Sequence, residues 1–432
     1  MARGLIEEYE DDQLAVAISD LRAVGDALAQ RGVRVGHEEQ DPRLGLALLT
    51  LDGVEAAVAP LRANATGSSD LDLLICWLRE HFQSAYDGWV PTIGKNRVIE
   101  PVRGLPYIGG GGEGDPYFGG SGDPSTSSSA NGGTIPETAQ PGGPPPEWPS
   151  QRDAQPGEGV RVGVLDTRLY PHAWLAGGYE ATGNALLRLP AAGDRPLPAS
   201  AGHATFIAGL ILRQAPAAGL VIRPVLDNKA VGRAWDVAKK MVSFLQTGAD
   251  ILNLSFGCYT DDGQPPLVLA RAVSLLSARI LLVAAAGNHG DIDELRKSGQ
   301  LPPDSWTEGL TPVTPVWPAA FDEVTAVGAS NGDGLAAFTP RTPWVNLIAP
   351  GVAVQSTYLT GQVKPTSPPA GSPMTFNGFA YWDGTSFSAA TVSGAVAARM
   401  RPGGGGGCGR QALASAVESS AAGIRPFTAP AL

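Results

Sequence analysis

The chain has 432 residues, 43% of them hydrophobic and 17% charged, a mix that fills an apolar core and excludes wholesale disorder. Its formal net charge is -11, and an acidic surface repels a phosphate backbone, so nucleic acid is set aside as a partner. Three cysteines, Cys76, Cys258 and Cys408, lie far apart with no C-x-x-C pair, which offers neither a disulfide framework nor a zinc site.

The N-terminus turns acidic by its seventh residue and has no apolar run followed by a small-residue cleavage site, unlike a secretory leader. No stretch of about 18 uninterrupted apolar residues occurs, so no membrane partner is expected. Together these features predict a soluble cytoplasmic protein.

Composition divides the chain into three regions. Over residues 1–101, Asp12 to Gln30 shows helical spacing, with Leu14, Ile18, Leu21, Val24 and Leu28 on one face. Leu44–Leu51 reads as a buried strand, and Val54–Leu61 and Leu71–Phe82 as helices, the last with Cys76 and Trp77 in its core. This is a small α/β domain without a chemical motif. Residues 102–159 contain GGGGEGDP, GGSGDPSTSSSANGG and PGGPPPEWP, the composition of a linker. Tyr107, Tyr117 and Phe118 are its exceptions, suited to docking on a folded neighbour. The run Gly109–Gly112 is no phosphate loop, because no Lys-Ser/Thr follows it.

From 160 to 425, apolar runs alternate with helical patterns. The expected strands are Val160–Leu165, Gly219–Leu226, Ile251–Phe256 and Ile280–Ala286, with Glu323–Ala329, Val345–Ile348 and Met374–Trp382 later. The expected helices are His203–Leu212, Ala234–Gln246, Pro266–Ala278 and Ser386–Met400, the last ended by Gly403–Gly407, and a short one at Gln411–Ala422. This rhythm implies βαβ units and a mostly parallel sheet. Reactive groups in such folds gather at the carboxyl ends of strands. Asp166 follows the first strand, His203 opens a helix, Asn288 follows the fourth strand, and Ser386 opens another helix. A serine hydroxyl needs a base to become a nucleophile, and neutral imidazole suits that near pH 7. A buried carboxylate fixes the imidazole tautomer. A tetrahedral intermediate needs preset donors, here a helix-terminal N–H and a side-chain amide. His172 reads as a loop residue, solvated or structural. His289 is a candidate to touch substrate, and Cys258 a candidate to line a pocket.

The order Asp, His, Asn, Ser resembles the subtilisin family of serine peptidases. Val164–Thr167 (VLDT) resembles the family's Asp motif. Gly202-His203-Ala204-Thr205 through Ala208-Gly209 matches its His motif, G-H-G-T-x-x-A-G. Ala285–Gly290 meets A-A-G-N-x-G, and Gly384-Thr385-Ser386 matches the start of G-T-S-x-x-x-P. The resemblance covers about Val160 to Met400. Arg168, Ala204 and Ala390 depart from the pattern, at positions that touch substrate fit and turnover more than reaction type.

The resemblance implies a three-layer α/β fold and a serine endopeptidase, with Asp166, His203 and Ser386 as catalytic triad and Asn288 as oxyanion donor. It also implies that Ser255, Phe256 and Gly257 form the strand that pairs with substrate backbone, with Phe256 against the P1 side chain. A polypeptide is then the substrate. No cofactor or metal is expected; there is no clear calcium-site pattern, and calcium dependence stays open. Two alternatives stay open at this point, a peptide-binding pseudoprotease and a peptide ligase using the same acyl-enzyme. The N-terminal domain is either a propeptide or an adaptor that recruits a partner.

Overall fold

The computed structural model describes residues 2–3, 6–64, 68–100, 156–181, 183–188, 195–297, 309–332, 334–364 and 373–427. The expected linker, with Tyr107, Tyr117, Phe118 and Gly109–Gly112, lies outside the described residues except for 156–159.

Seven parallel strands form the centre of the molecule. In spatial order they are Tyr179–Glu180, Gly219–Pro224, Arg161–Asp166, Ile251–Leu254, Leu281–Ala285, Val324–Asn331 and Val345–Pro350. Arg425–Pro426 closes one edge antiparallel to the last of these. Ile251–Leu254 and Leu281–Ala285 are buried throughout, as strands covered on both faces must be. Helices His203–Gln214, Thr385–Ala397 and Gly405–Glu418 pack on one face. Ala234–Ser243 and Leu267–Leu276 pack on the other, which gives the expected three-layer α/β fold. Thr385–Ala397 is buried at every position, and its small Ala, Ser, Gly and Val residues let neighbours close around it. The chain leaves Arg161–Asp166 for strands on one side and returns to Ile251–Leu254 on the other. Strand order therefore reverses between these two, the place where such sheets open a crevice.

The N-terminal region has the order strand Glu8–Ala17, helix Leu21–Gln30, strands Arg34–Asp41 and Leu46–Asp52, helix Asp70–Ala85 and strand Ile93–Ile99. These four strands, with the short Ala2–Arg3 also paired to Glu8–Ala17, form an antiparallel sheet with Glu8–Ala17 between Ile93–Ile99 and Leu46–Asp52, a split βαβ arrangement. The helical spacing read from Asp12 onward is corrected here: the helix begins only at Leu21. Leu14 and Val16 face the domain's own helices, whereas Ala15 and Ala17 face the helices Ala234–Ser243 and Leu267–Leu276. A strand buried on both faces gives a run of apolar residues that mimics a helix in periodicity.

Two further strands escaped the apolar pattern. Arg34–Asp41 is a largely exposed edge strand rich in charge, as unpaired edges often are. Ile93–Ile99 carries Lys95 and Arg97, both buried against Glu7; Arg97 Nε donates to Glu7 Oε2 at 2.9 Å. Cys76 is exposed on its helix rather than in the core. The run Gly403–Gly407 opens the helix Gly405–Glu418 instead of merely ending the one before it. Gly403 and Gly405 sit at φ +67 and +63, in the left-handed region that favours glycine, and further along the helix a Cβ at Gly409 would lie 2.8 Å from Leu281 Cβ.

The two regions are joined by more than contact. Gly232–Arg233 adds an antiparallel strand to the N-terminal sheet, beside Val98 and Ile99. Asn96 Oδ1 accepts from the Trp235 N–H at 2.9 Å, a cap on helix Ala234–Ser243 supplied from the other domain.

Candidate active site

Asp166 is the last residue of its strand and is fully buried. Its carboxylate accepts from the Thr167 N–H at 2.7 Å and lies 2.8 and 2.9 Å from His203 Nδ1. A carboxylate can only accept from the neutral ring, so Nδ1 carries the proton and Nε2 is the basic nitrogen. His203 is the first residue of its helix, and its ring packs on Trp382 and on Phe387, the residue after Ser386. Thr167 Oγ1 accepts the Ala204 N–H at 3.2 Å, which pins the helix start to the strand end.

Ser386 is the second residue of helix Thr385–Ala397. Its Oγ donates to the Ser255 carbonyl at 3.3 Å, and its own carbonyl accepts from Ser255 Oγ at 3.0 Å. Behind this pair, Asn253 Nδ2 donates to Ser255 Oγ at 2.8 Å and Ser393 Oγ donates to Asn253 Oδ1 at 3.1 Å. Asn288 Oδ1 accepts from both the Thr385 N–H (3.0 Å) and Thr385 Oγ1 (2.9 Å). With its oxygen committed to Thr385, the carboxamide turns its Nδ2 donors the other way. The His203 ring packs on Phe387 and Asn288 bonds Thr385, the two neighbours of Ser386, so Asp166, His203, Asn288 and Ser386 gather at the carboxyl ends of the central strands.

Sequence reasoning quoted Thr167 and Thr385 only inside motifs, placed Ser255 only on the substrate strand, and passed over Asn253 and Ser393. Thr385 lay within the G-T-S motif, the one signal that pointed to it. The ring of Phe256 needs correcting as a P1 contact. It is fully buried and shares an apolar cluster with Leu252, Leu254 and Ile99, because alternate side chains leave a strand on opposite faces. Ser255 faces the Ser386 helix and Phe256 faces away, so the peptide groups of 255–257 are what this strand presents. His289 is fully buried, and burial pushes its pKa down to about 4; it is no substrate contact. Cys258 is buried too, with its thiol pushed up to about 12, which keeps it protonated and inert.

The helix after His203 passes close to strand Val354–Lys364. Ser356 Oγ and Thr357 Oγ1 donate to the Phe206 and Thr205 carbonyls, each at 2.8 Å. A Cβ at Gly209 would overlap both hydroxyl oxygens. Gly209→Ala is therefore expected to destabilise the fold by about 1–3 kcal/mol, read as a lower denaturation midpoint in a Ser386→Ala background that cannot digest itself.

A match to the model of the subtilase family spans residues 157–403, more than half of the chain. The chain belongs to the subtilase family. Among its relatives, this subtilase is 31% identical over 214 residues to a thermostable alkaline protease of Halalkalibacterium halodurans, covering 47% of this chain and 50% of that one. It is 30% identical over 201 residues to a thermophilic serine proteinase of Bacillus sp., covering 46% of this chain and 39% of the other. It is 30% identical over 213 residues to subtilisin Savinase of Lederbergia lenta, covering 47% and 67%. The chain thus spans half or less of the length of the first two. The fold is shared with fervidolysin from Fervidobacterium pennivorans at TM-score 0.52 and 18% identity, over 90% of this chain and 55% of that one. Among the described residues no group of His, Cys, Asp or Glu could hold a metal ion, and no helix is long and apolar enough to cross a membrane.

Proposed function

We propose that this subtilase is a serine endopeptidase that cuts peptide bonds through an acyl-enzyme on Ser386. The observation that carries this reading is the buried Asp166–His203 pair, 2.8 Å apart, whose imidazole packs on Phe387, next to Ser386 at a helix N-terminus. A turn of the Ser386 side chain exchanges its contact with Ser255 for one with His203 Nε2. His203 takes the Oγ proton as Oγ attacks the substrate carbonyl, and gives it to the leaving amine as the C–N bond breaks. Water then repeats the sequence on the acyl-enzyme. Asp166 stabilises the imidazolium that forms each time. Asn288 Nδ2 and the Ser386 N–H, one of the helix's first four donors, hold the oxyanion.

The N-terminal domain acts, in this reading, as a propeptide rather than an adaptor. Support comes from its last described residue. Glu100 and Gly257 exchange both backbone hydrogen bonds, 3.1 and 2.7 Å, in an antiparallel bridge on the substrate strand. In an antiparallel ladder one strand advances as the other retreats. A segment paired this way brings its residue two further along to Ser255, whose carbonyl is the atom that Ser386 Oγ contacts. A chain that kept this register past Glu100 would offer the bond between Val102 and Arg103, and that bond is the proposed first substrate.

Intact mass of the purified full chain, followed over time beside Ser386→Ala with casein present, tests both statements. Wild type is expected to yield a fragment ending at Val102 and to cut casein, with the variant doing neither. An intact wild type that cuts casein would leave the peptidase and return the N-terminal domain to the adaptor role. A wild type that neither changes mass nor cuts casein would favour a peptide-binding pseudoprotease.

A further inference from the structure

We propose that His289 is a positioning residue for Asn288, tying the loop of the oxyanion donor to the chain that continues the substrate strand; the inference rests on the serine-peptidase reading. His289 follows Asn288 directly and is fully buried. Its Nε2 lies 3.0 Å from the Thr314 carbonyl, which can only accept, so Nε2 carries the proton. Nδ1 is then the acceptor, and the Tyr259 hydroxyl donates to it at 3.2 Å. The two rings meet edge to face at 5.3 Å.

Each end of this link is itself anchored. Tyr259 stands two residues beyond Gly257, the residue that bridges to Glu100. Thr314 stands three residues before Trp317, whose backbone exchanges hydrogen bonds of 2.9 and 3.0 Å with Cys258. On the other side of Asn288, Gly287 has φ +116, and a Cβ there would come within 2.8 Å of the His289 ring. The backbone before Asn288 must run flat against the imidazole, which only glycine allows. One neutral ring therefore joins three segments, 257–259, 287–290 and 314–317. It fixes where Asn288 stands relative to a paired substrate backbone. Burial keeps the ring neutral, so its donor and acceptor roles hold through neutral pH.

The test compares two inhibitors of one peptide sequence on the full chain, incubated until its mass stops changing. A peptidyl aldehyde is attacked by Ser386: the Oγ–C bond forms, the carbonyl π pair moves onto oxygen, and the Oγ proton passes to His203. The adduct thus needs the oxyanion donors. The matching peptidyl alcohol fills the same subsites without an oxyanion. His289→Gln, and the milder Tyr259→Phe that keeps the ring packing, are each expected to lower kcat by about tenfold or more and to weaken the aldehyde in parallel. KM and alcohol binding are expected to change by less than about threefold, since they report ground-state contacts. Equal weakening of aldehyde and alcohol, or a lower Tm with unchanged kcat, would overturn the positioning role. A wild type that binds aldehyde no better than alcohol would overturn the serine-peptidase reading instead.

Discussion

Ser386→Ala and His203→Ala are each expected to lower kcat by about 10⁶, and the double variant to lose no more than either alone. The magnitude is that established for the corresponding residues of subtilisin. Its reason here lies in how the groups depend on one another. In the proposed mechanism Ser386 Oγ has its base in His203, and His203 takes its tautomer from Asp166, 2.8 Å from Nδ1. Removing Ser386 or His203 takes away the donor or the acceptor of the one proton transfer, so the second removal has nothing further to lose. Asn288→Ala should cost less, on the order of 10²–10³, again as known for subtilisin, because the Ser386 N–H remains as a donor. Hydrolysis of a chromogenic peptide gives the rates, and fluorophosphonate labelling reports the nucleophile separately. Labelling that survives in Ser386→Ala, or losses that add in the double variant, would refute the coupled arrangement.

Glu100→Pro is expected to slow self-cleavage by about 5- to 150-fold. Proline has no N–H to give the Gly257 carbonyl, and a partner left unpaired costs about 1–3 kcal/mol. Glu100→Gln keeps both backbone bonds and the shape of the side chain, so if the ladder carries the pairing its rate should stay within about fivefold of wild type. The contrast separates recognition by backbone from recognition by side chain. It is measured as the first-order appearance of the fragment ending at Val102. If the glutamine variant were as slow as the proline one, the Glu100 side chain and not the ladder would carry the pairing.

The element ends that bear Asp166, His203, Asn288 and Ser386 were legible in the sequence because short motifs there are tied to strand ends and helix starts. The parallel sheet was legible because its strands are buried on both faces and read as unbroken apolar runs. What stayed hidden depends on partners far away in the chain. Asn288 owes its orientation to Thr385, 97 residues on. Strand Ile93–Ile99 was obscured by Lys95 and Arg97, whose charges make sense only beside Glu7. The direction of the Phe256 ring follows from strand phase, which motif matching does not resolve. The first strand was taken for helix because its second buried face belongs to the contact with another domain.

That shared face has a consequence for the separated parts. Ala15, Ala17, Leu44, Leu46 and Leu48 belong to the same apolar cluster as Trp235, Ala238, Leu269 and Val273 across the boundary. Cutting the chain does not uncover them; departure of the N-terminal domain does. The freed peptidase would then show water a greasy patch flanked by the unpaired edge at Gly232–Arg233, a surface prone to sticking to copies of itself. Under the propeptide reading, scission and release would be distinct events, and crowding of freshly bared molecules would set a ceiling on how much freed enzyme stays dispersed.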